Sequence, residues 1–496
     1  MEHEPAHHDE SPKESRGWRV LAGIAIAVGV YALLGQSGLS EGGRLTAAVG
    51  ALMAAWWVSE AAPLEVTGLV PLALFPVLGI ATIKETATPY AQDIIFLFLG
   101  GMLLGQAMER WGLHQRFASA AITAVGAGPA RLVGAFLLST AFISMWVSNT
   151  AATVMMMPIA LSVGRLVSAA DREGKTKDLC TALLLAVAFG ATIGGVGTVI
   201  GTPPIAQYAG YMRATFNHPV TFAAWLAVGL PVLALVLPAT WLVLTRVAFR
   251  LPWRSSAAAT GMVAPQVPWT GGERRTLVIF AGAAVLWVAT PLLATAPMFQ
   301  GTATGAALAR LGDASIAIGA AVLLFLVPAA GLRGRPLLTW REGERVPWGI
   351  LLLFGGGLSL AEALKSHKVD VYLASMAGPL AGWPVLGVMV LMSVVAIVLT
   401  EFASNTALVA AALPVAAPIA EKLGIPPAVL LTTVTLSASL GFMMPGGTAP
   451  NALVFASGEV TMRKMMKAGV WLDVACGLGV PVLVYAIWQV GWLPGV

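Results

Sequence analysis

The sequence predicts an all-α integral membrane protein of about eleven transmembrane helices plus two re-entrant hairpins in an inverted repeat. Three observations carry that expectation: an apolar composition, a clustering of positive charge in a few loops, and a pair of matched polar motifs. Of 496 residues, 57% are hydrophobic and only 11% are charged, against roughly a quarter charged in soluble domains. The mean hydropathy of +0.81 agrees. This balance excludes a soluble enzyme, a disordered chain and a secreted disulfide scaffold. The long apolar runs also differ from the short alternating segments of an outer-membrane barrel. Cys180 and Cys476 are the two cysteines, too few for a disulfide framework or a four-ligand metal site. A net charge of +5 is read as a topology signal, not as nucleic-acid binding.

A spanning helix needs about 20 mostly apolar residues. Continuous candidates run near 19–37, 43–60, 66–83, 222–248, 276–296, 314–331, 348–364 and 468–492. Around 93–118, 130–168, 179–212, 370–420 and 427–457 the apolar runs are broken by Gly, Pro, Ser, Asn and Thr. Non-helical backbone at membrane depth is tolerated only where protein or a water-filled cavity surrounds it, so function is sought there. Arg and Lys cluster at 172–177, 246–275, 333–345 and 463–467, with Arg172, Lys175, Arg254 and Arg333 among them. The positive-inside rule places all four clusters in the cytoplasm. The polar segment 1–17, which includes His7 and His8, reads as a disordered cytoplasmic tail and not as a signal peptide. The C-terminus then falls outside.

The repeat fixes the architecture. Ser148-Asn149-Thr150 recurs as Ser404-Asn405-Thr406, and Pro158 recurs as Pro414 at the same offset. Gly100-Gly101 and Gly356-Gly357 keep it too. Gly201-Thr202-Pro203-Pro204 pairs with Gly447-Thr448-Ala449-Pro450 at a shorter offset, because the first copy carries a longer charged loop at 171–178. An odd number of crossings separates the copies, so they run in opposite directions. Inverted repeats with matched interruptions point to the substrate site of a secondary transporter.

Each Ser-Asn-Thr lies between apolar arms, 132–147 and 151–164 in the first copy, as the tip of a hairpin. There helical hydrogen bonding stops and backbone groups become free. Carbonyl, amide and hydroxyl oxygens are hard ligands that suit an alkali cation. The second arm starts at the tip, and its N-terminal end favours an anion. The Gly-Thr segments supply unwound breaks facing the tips. No Lys or Arg lies at residues 144–154, 197–206, 400–410 or 444–452. Bound sodium would therefore supply the positive charge that a small anion needs.

These residues resemble the divalent anion/sodium symporters, a family of dicarboxylate, citrate and sulfate carriers. The likeness spans nearly all the chain from residue 18. It is carried by Trp56-Trp57-Val-Ser-Glu60-Ala-Ala-Pro63 with Thr67 and Pro71, by WGILLLFGGGLSLAEAL at 348–364, by both Ser-Asn-Thr motifs and by SASLGFMMPGGTAPNALVF at 437–455. The resemblance implies a homodimer of scaffold and transport domains moving as an elevator. It implies scaffold helices at 18–92 and 216–347, transport parts with hairpins at 93–215 and 348–460, and a last transmembrane helix at 461–496. Carried over by motif, a first sodium site uses Ser144, Ser148, Asn149 and the backbone at Gly201. A second uses Thr400, Ala403, Asn405 and the backbone at Gly447. Substrate carboxylates meet Asn149, Thr150, Asn405 and Thr406, with Thr202 and Thr448 nearby. The expected activity is sodium-coupled import of a small divalent anion, a C4-dicarboxylate foremost, across the inner (plasma) membrane. Three positions depart from the pattern: Ile205, Ala449 and Gly446. The first two keep a sodium-independent exchanger of the same fold as the alternative, and sulfate or citrate as other cargoes.

Glu60, Glu65, Asp93 and Glu401 are further intramembrane ionisable residues. Glu60 reads as interfacial, while Glu401 stands beside the second tip. Trp56, Trp57, Trp146 and Trp287 read as anchors or packing residues. An intramembrane enzyme would need a catalytic dyad or metal ligands, and no His lies inside a repeat core.

Overall fold

A computed structural model describes residues 14–125, 128–171, 176–253, 268–299, 302–329 and 334–495. Residues 1–13 of the expected tail, with His7 and His8, lie outside the described residues, as do Arg172, Lys175, Arg254 and Arg333. Among the described residues the regular elements are all helical, apart from one isolated bridge between Pro328 and Pro336.

Among the described residues six helices are long and apolar enough to cross a membrane: Gly17–Gln36, Asn149–Ala169, Phe222–Ala248, Gly271–Ala294, Trp348–Ser366 and Met462–Gln489. A seventh span arises if Ile83–Ala91 and Asp93–Arg110, bent by 41°, are joined. The run expected at 43–60 is one unbroken 19-residue helix, Glu41–Ser59, and the other expected crossings fall on shorter or interrupted helices. The run expected at 66–83 is helical at Leu64–Thr67 and Val70–Val77 and stops where Gly79 takes a φ of +68°, a left-handed conformation that glycine adopts without steric cost. The run expected at 314–331 ends at Leu326, because Val327 turns extended before Pro328. The residue preceding a proline is disfavoured in the α region.

The two copies of the repeat share one order of elements. In the first, Pro129–Ser144 and Asn149–Ala170 form a hairpin, followed by Leu179–Gly195, a break, and Pro203–Phe216. In the second, Val385–Thr400 and Asn405–Lys422 form the hairpin, followed by Pro427–Ala438, a longer break, and Ala449–Ala456. Each second arm begins at its asparagine, so the true tips are 145–148 and 401–404. The first arm in the first copy packs tightly on Leu179–Gly195 through Gly190 and Gly194. Their absent side chains admit the carbonyls of Leu137 and Ala141, since a Cβ would come within 2.7 and 2.1 Å of those oxygens. Small residues four apart are how helices approach closely in lipid, where apolar burial drives no association. In the second copy a hydroxyl pair does the joining: Ser393 Oγ and Ser437 Oγ are 2.7 Å apart.

The copies interlock. Ala449–Ala456, from the second copy, packs on Asn149–Ala170 and Leu179–Gly195 of the first. Pro203–Phe216 packs in turn on Asn405–Lys422 and Pro427–Ala438. Thr432 donates to Tyr208 Oη at 2.8 Å across that contact. Each break is therefore enclosed by helices of both copies. Away from the spans, Glu342 ties Arg110 to Arg335. Burial raises its carboxyl, but hydrogen bonds from Thr339 and the two guanidinium charges hold it below the ordinary range.

The Gly194 contact gives a test. Gly194→Ala should lower the melting temperature of the detergent-purified protein, at a cost of about 1–3 kcal/mol for overpacking against backbone. Gly282→Ala, whose Cβ meets nothing within 4 Å, should leave it unchanged. Equal melting temperatures for both variants would contradict the close packing.

Candidate functional site

At the first tip, Ser144 is fully buried on the last turn of its arm. Its Oγ lies 2.9 Å from Asn149 Oδ1 and 2.7 Å from the carbonyl of Ala191. A hydroxyl carries one proton, so it cannot donate to both acceptors at once. The result is a corner of three converging oxygens. Glycine keeps that corner open: a Cβ on Gly195 would come 2.2 Å from Asn149 Oδ1, and one on Gly201 would meet Gly195 O at 2.5 Å. Ser148 caps the second arm, accepting from Ala151 N at 3.3 Å.

The second tip repeats the arrangement. Thr400 Oγ1 lies 2.6 Å from Asn405 Oδ1 and 2.7 Å from the carbonyl of Ala438. Thr400 is fully buried, and Ala403 is buried beside it. A Cβ on Gly447 would stand 3.3 Å from Thr400 O, so the Gly447 backbone borders this tip. Hydroxyl, amide and carbonyl oxygens on a fixed frame are a donor set that fits a hard monovalent cation, and both corners provide it.

Exposure separates the remaining predicted residues. Ser148 and Thr150 are exposed, Asn149, Asn405 and Thr406 are half-buried, and Thr202 and Thr448 are buried. Asn149 and Asn405 open their helices, so first-turn N–H groups are free there for an anion. Thr202 and Thr448 open the helices after the two breaks. Thr448 Oγ1 accepts from Asn451 N at 3.2 Å. The structure thus brings Ser144, Asn149 and the glycines of the first break together, and likewise Thr400, Asn405 and Gly447. It places Ser148 as a cap rather than in the oxygen corner.

Sequence reasoning placed Glu401 beside the second tip but missed two neighbouring carbonyls and the acid that joins Glu401 at the second break. The carbonyls of Ala191 and Ala438 carry no side-chain signal. A carboxylate clamp also holds the second break. Glu401, buried, accepts from Met443 N at 3.0 Å and Met444 N at 2.6 Å, and Asp473 accepts from Phe442 N at 3.1 Å. Asp473, a lone acid in the apolar run of the last helix, was the available signal. Of the other acids, Glu60 ends a helix in a left-handed conformation. Asp93 pairs with Arg213 at 2.8 Å. The tryptophans are packed or bonded to backbone: Trp57 Nε1 donates to Leu64 O at 3.1 Å and Trp287 Nε1 to Asp313 O at 3.0 Å. Trp146 lies edge-on to Phe280, 4.8 Å between centroids.

Comparison with known proteins gives concordant matches. The family model for the sodium:sulfate symporter transmembrane region matches residues 14–493. A sodium-dependent dicarboxylate transporter, SdcS, of Staphylococcus saprophyticus is 32% identical over 489 residues, covering 95% of this chain and 92% of that protein. Its counterpart in Staphylococcus aureus strain MRSA252 is 34% identical over 444 residues, covering 88% and 84%. The fold is similar to the crystal structure of the Alcanivorax borkumensis YdaH transporter, with a TM-score of 0.59 at 17% identity over 96% of this chain and all of that one. It is also similar to Neisseria gonorrhoeae MtrF, with a TM-score of 0.55 at 12% identity over 84% of each chain.

The clamp generates a prediction. Glu401→Ala leaves the half-buried N–H groups of Met443 and Met444 without their acceptor, at up to about 1–3 kcal/mol each. The purified variant should melt several degrees lower than the wild type, and Glu401→Gln, which retains an acceptor, should fall in between. A Glu401→Ala protein as stable as the wild type would show that the clamp does not hold the break.

Proposed function

The chain belongs to the sodium:sulfate symporter family, and on that premise we propose that it imports a small dicarboxylate together with sodium. The SdcS relatives, named sodium-dependent dicarboxylate transporters, support the dicarboxylate class, and within it a C4-dicarboxylate is the favoured cargo. The observation that carries the reading is the duplicated oxygen corner, Ser144–Asn149–Ala191 and Thr400–Asn405–Ala438. Sodium ions held at these corners would offset a dianion that has no Lys or Arg within either tip or Gly-Thr segment. Asn149, Thr150, Asn405 and Thr406 stand at the starts of the second arms, where free N–H groups and hydroxyls can bind carboxylates. Thr202 and Thr448 lie at the facing helix starts. In this reading Gly201, Ala403 and Gly447 complete the two sodium sites with backbone oxygens, and Ser148 holds the first tip as its cap.

Transport follows from the division of the chain. The parts at 93–215 and 348–460 carry the sites, while 18–92 and 216–347 form a scaffold, with the helix at 461–496 closing the bundle. The two halves run inverted, so rigid movement of the site-bearing part against the scaffold exposes the same site to either side. The protein works as a homodimer in the inner (plasma) membrane, with its N-terminus cytoplasmic and its C-terminus outside.

Removing the amide at either corner should be costly. Asn149→Ala or Asn405→Ala should lower uptake into proteoliposomes at least tenfold, since a hydrogen bond to a charged group contributes about 1.5–3 kcal/mol. Near-normal uptake by both variants would refute the site assignment.

Coupling is tested separately. If sodium supplies the missing charge, each ligand must raise the other's affinity by the same factor. Labelled succinate should bind far more weakly when choline replaces sodium at constant ionic strength. Tight binding without sodium, with uptake that requires internal counter-substrate, would overturn symport in favour of exchange. Labelled sulfate carried in place of succinate would overturn the dicarboxylate assignment alone.

A further inference from the structure

A cavity of about 370 Å³ lies between the Gly17–Gln36 and Glu41–Ser59 helices, the Trp348–Ser366 helix with the short helix after it, and the second arm of the second hairpin. Its walls are mostly aliphatic, with Leu33, Ala47, Ala51, Leu364, Met376 and Val415 representing the four sides and Trp57 and Tyr372 the aromatic part. On the Glu41–Ser59 helix, Ala47, Gly50, Ala51 and Ala54 repeat at helical spacing, so one face presents small side chains and leaves the space open. At the rim, Leu33 is 83% exposed and Met376 is 59% exposed. The opening thus faces the hydrocarbon around these helices, where an aqueous solute finds no polar partner.

Arg44 supplies the second, independent observation. It sits one helical turn before Ala47, close to the Leu33–Leu34 side of the cavity: a Cβ on Gly35 would lie 3.8 Å from its Nη2. Nη2 donates to Tyr31 O at 3.1 Å and the guanidinium rests 4.2 Å above the Tyr31 ring. Its Nε is buried with no acceptor. Among the described residues no carboxylate lies within ion-pair distance of it, and Glu41, one turn earlier, is exposed. A guanidinium is built to bind a phosphate through paired donors, and cations near a membrane surface attract anionic headgroups.

We propose that this cavity holds an acyl chain of an anionic phospholipid, with the lipid phosphate at Arg44. An aliphatic slot open to the bilayer and an unpaired arginine one turn above it match the two chemically distinct parts of one molecule. The bound chain touches both the N-terminal helices and the second hairpin, so it lies across a boundary that must slide if the hairpins move.

The test is native mass spectrometry of the full-length protein in detergent, titrated separately with dioleoyl-phosphatidylglycerol and dioleoyl-phosphatidylcholine. The wild type should retain one phosphatidylglycerol in preference to phosphatidylcholine. Arg44→Ala should reduce phosphatidylglycerol retention about fivefold, the effect of one cation at the surface. Ala51→Phe and Val415→Phe, which fill the cavity from different helices, should each abolish retention of both lipids while size-exclusion elution stays that of the wild type. The proposal fails if the wild type does not distinguish the two lipids. It fails also if either filled variant elutes as folded protein and keeps its lipid. A filled variant that changes oligomeric state instead would overturn it in favour of a second copy of the chain covering the cavity.

Discussion

Everything at the centre of this molecule follows from breaking helices where there is no bulk water. An interrupted backbone inside the bilayer leaves N–H and C=O groups that must find partners within the protein. The chain meets this demand twice with the same device. A hydroxyl on the last turn of a hairpin arm, Ser144 or Thr400, reaches both the opening asparagine of the next arm and a carbonyl of the neighbouring helix. That contact fixes the tip against the helix that precedes the break. It also concentrates oxygen at one point, so the element that satisfies the backbone is the same one that can hold a cation. On the proposed function, stability and ligand chemistry share their atoms here.

How much of this was legible depends on whether a group's chemistry resides in its side chain. The asparagines could be found because Ser-Asn-Thr is a rare triplet in an apolar run and occurs at matched positions, whereas Ser144 and Thr400 lie outside the triplets and came only from the family resemblance. Gly201 and Gly447 could be found because glycine beside threonine and proline interrupts a helix. The carbonyls of Ala191 and Ala438 could not, since any residue supplies a carbonyl and only the fold selects which one. Helix ends were legible to within a few residues. The tips begin earlier than the motif suggests, because Asn149 and Asn405 already have helical backbone and Ser148 and Ser404 are the capping positions. The run at 66–83 is shorter than its hydropathy implies because Gly79 takes a conformation that ends the helix. Composition carries no such information.

The two centres share a motif but do not pin their backbones alike. Around the first, donors hold carbonyls in place: Thr198 Oγ1 donates to Met145 O, and Trp225 Nε1 donates to Val196 O at 2.9 Å. Around the second, acceptors hold N–H groups in place. Asp473 takes the amide of Phe442, and Glu401 takes those of Met443 and Met444. The matched position after the Gly-Thr segment also differs. It is Ile205, fully buried in apolar packing, in the first copy, and Asn451, whose Nδ2 donates to Met444 O at 3.1 Å, in the second.

That difference follows from the lengths of the breaks. The first, from 196 to 202, closes quickly onto the next helix, and a few donors to exposed carbonyls suffice. The second, from 439 to 448, has three consecutive N–H groups facing inward. Two acids from different elements therefore meet at one loop, and the last helix becomes part of the second centre although it lies outside the repeat. A pseudo-symmetric sequence motif here produces two sites of similar oxygen geometry set in different electrostatic surroundings. Any account that treats the two copies as interchangeable overlooks Glu401 and Asp473.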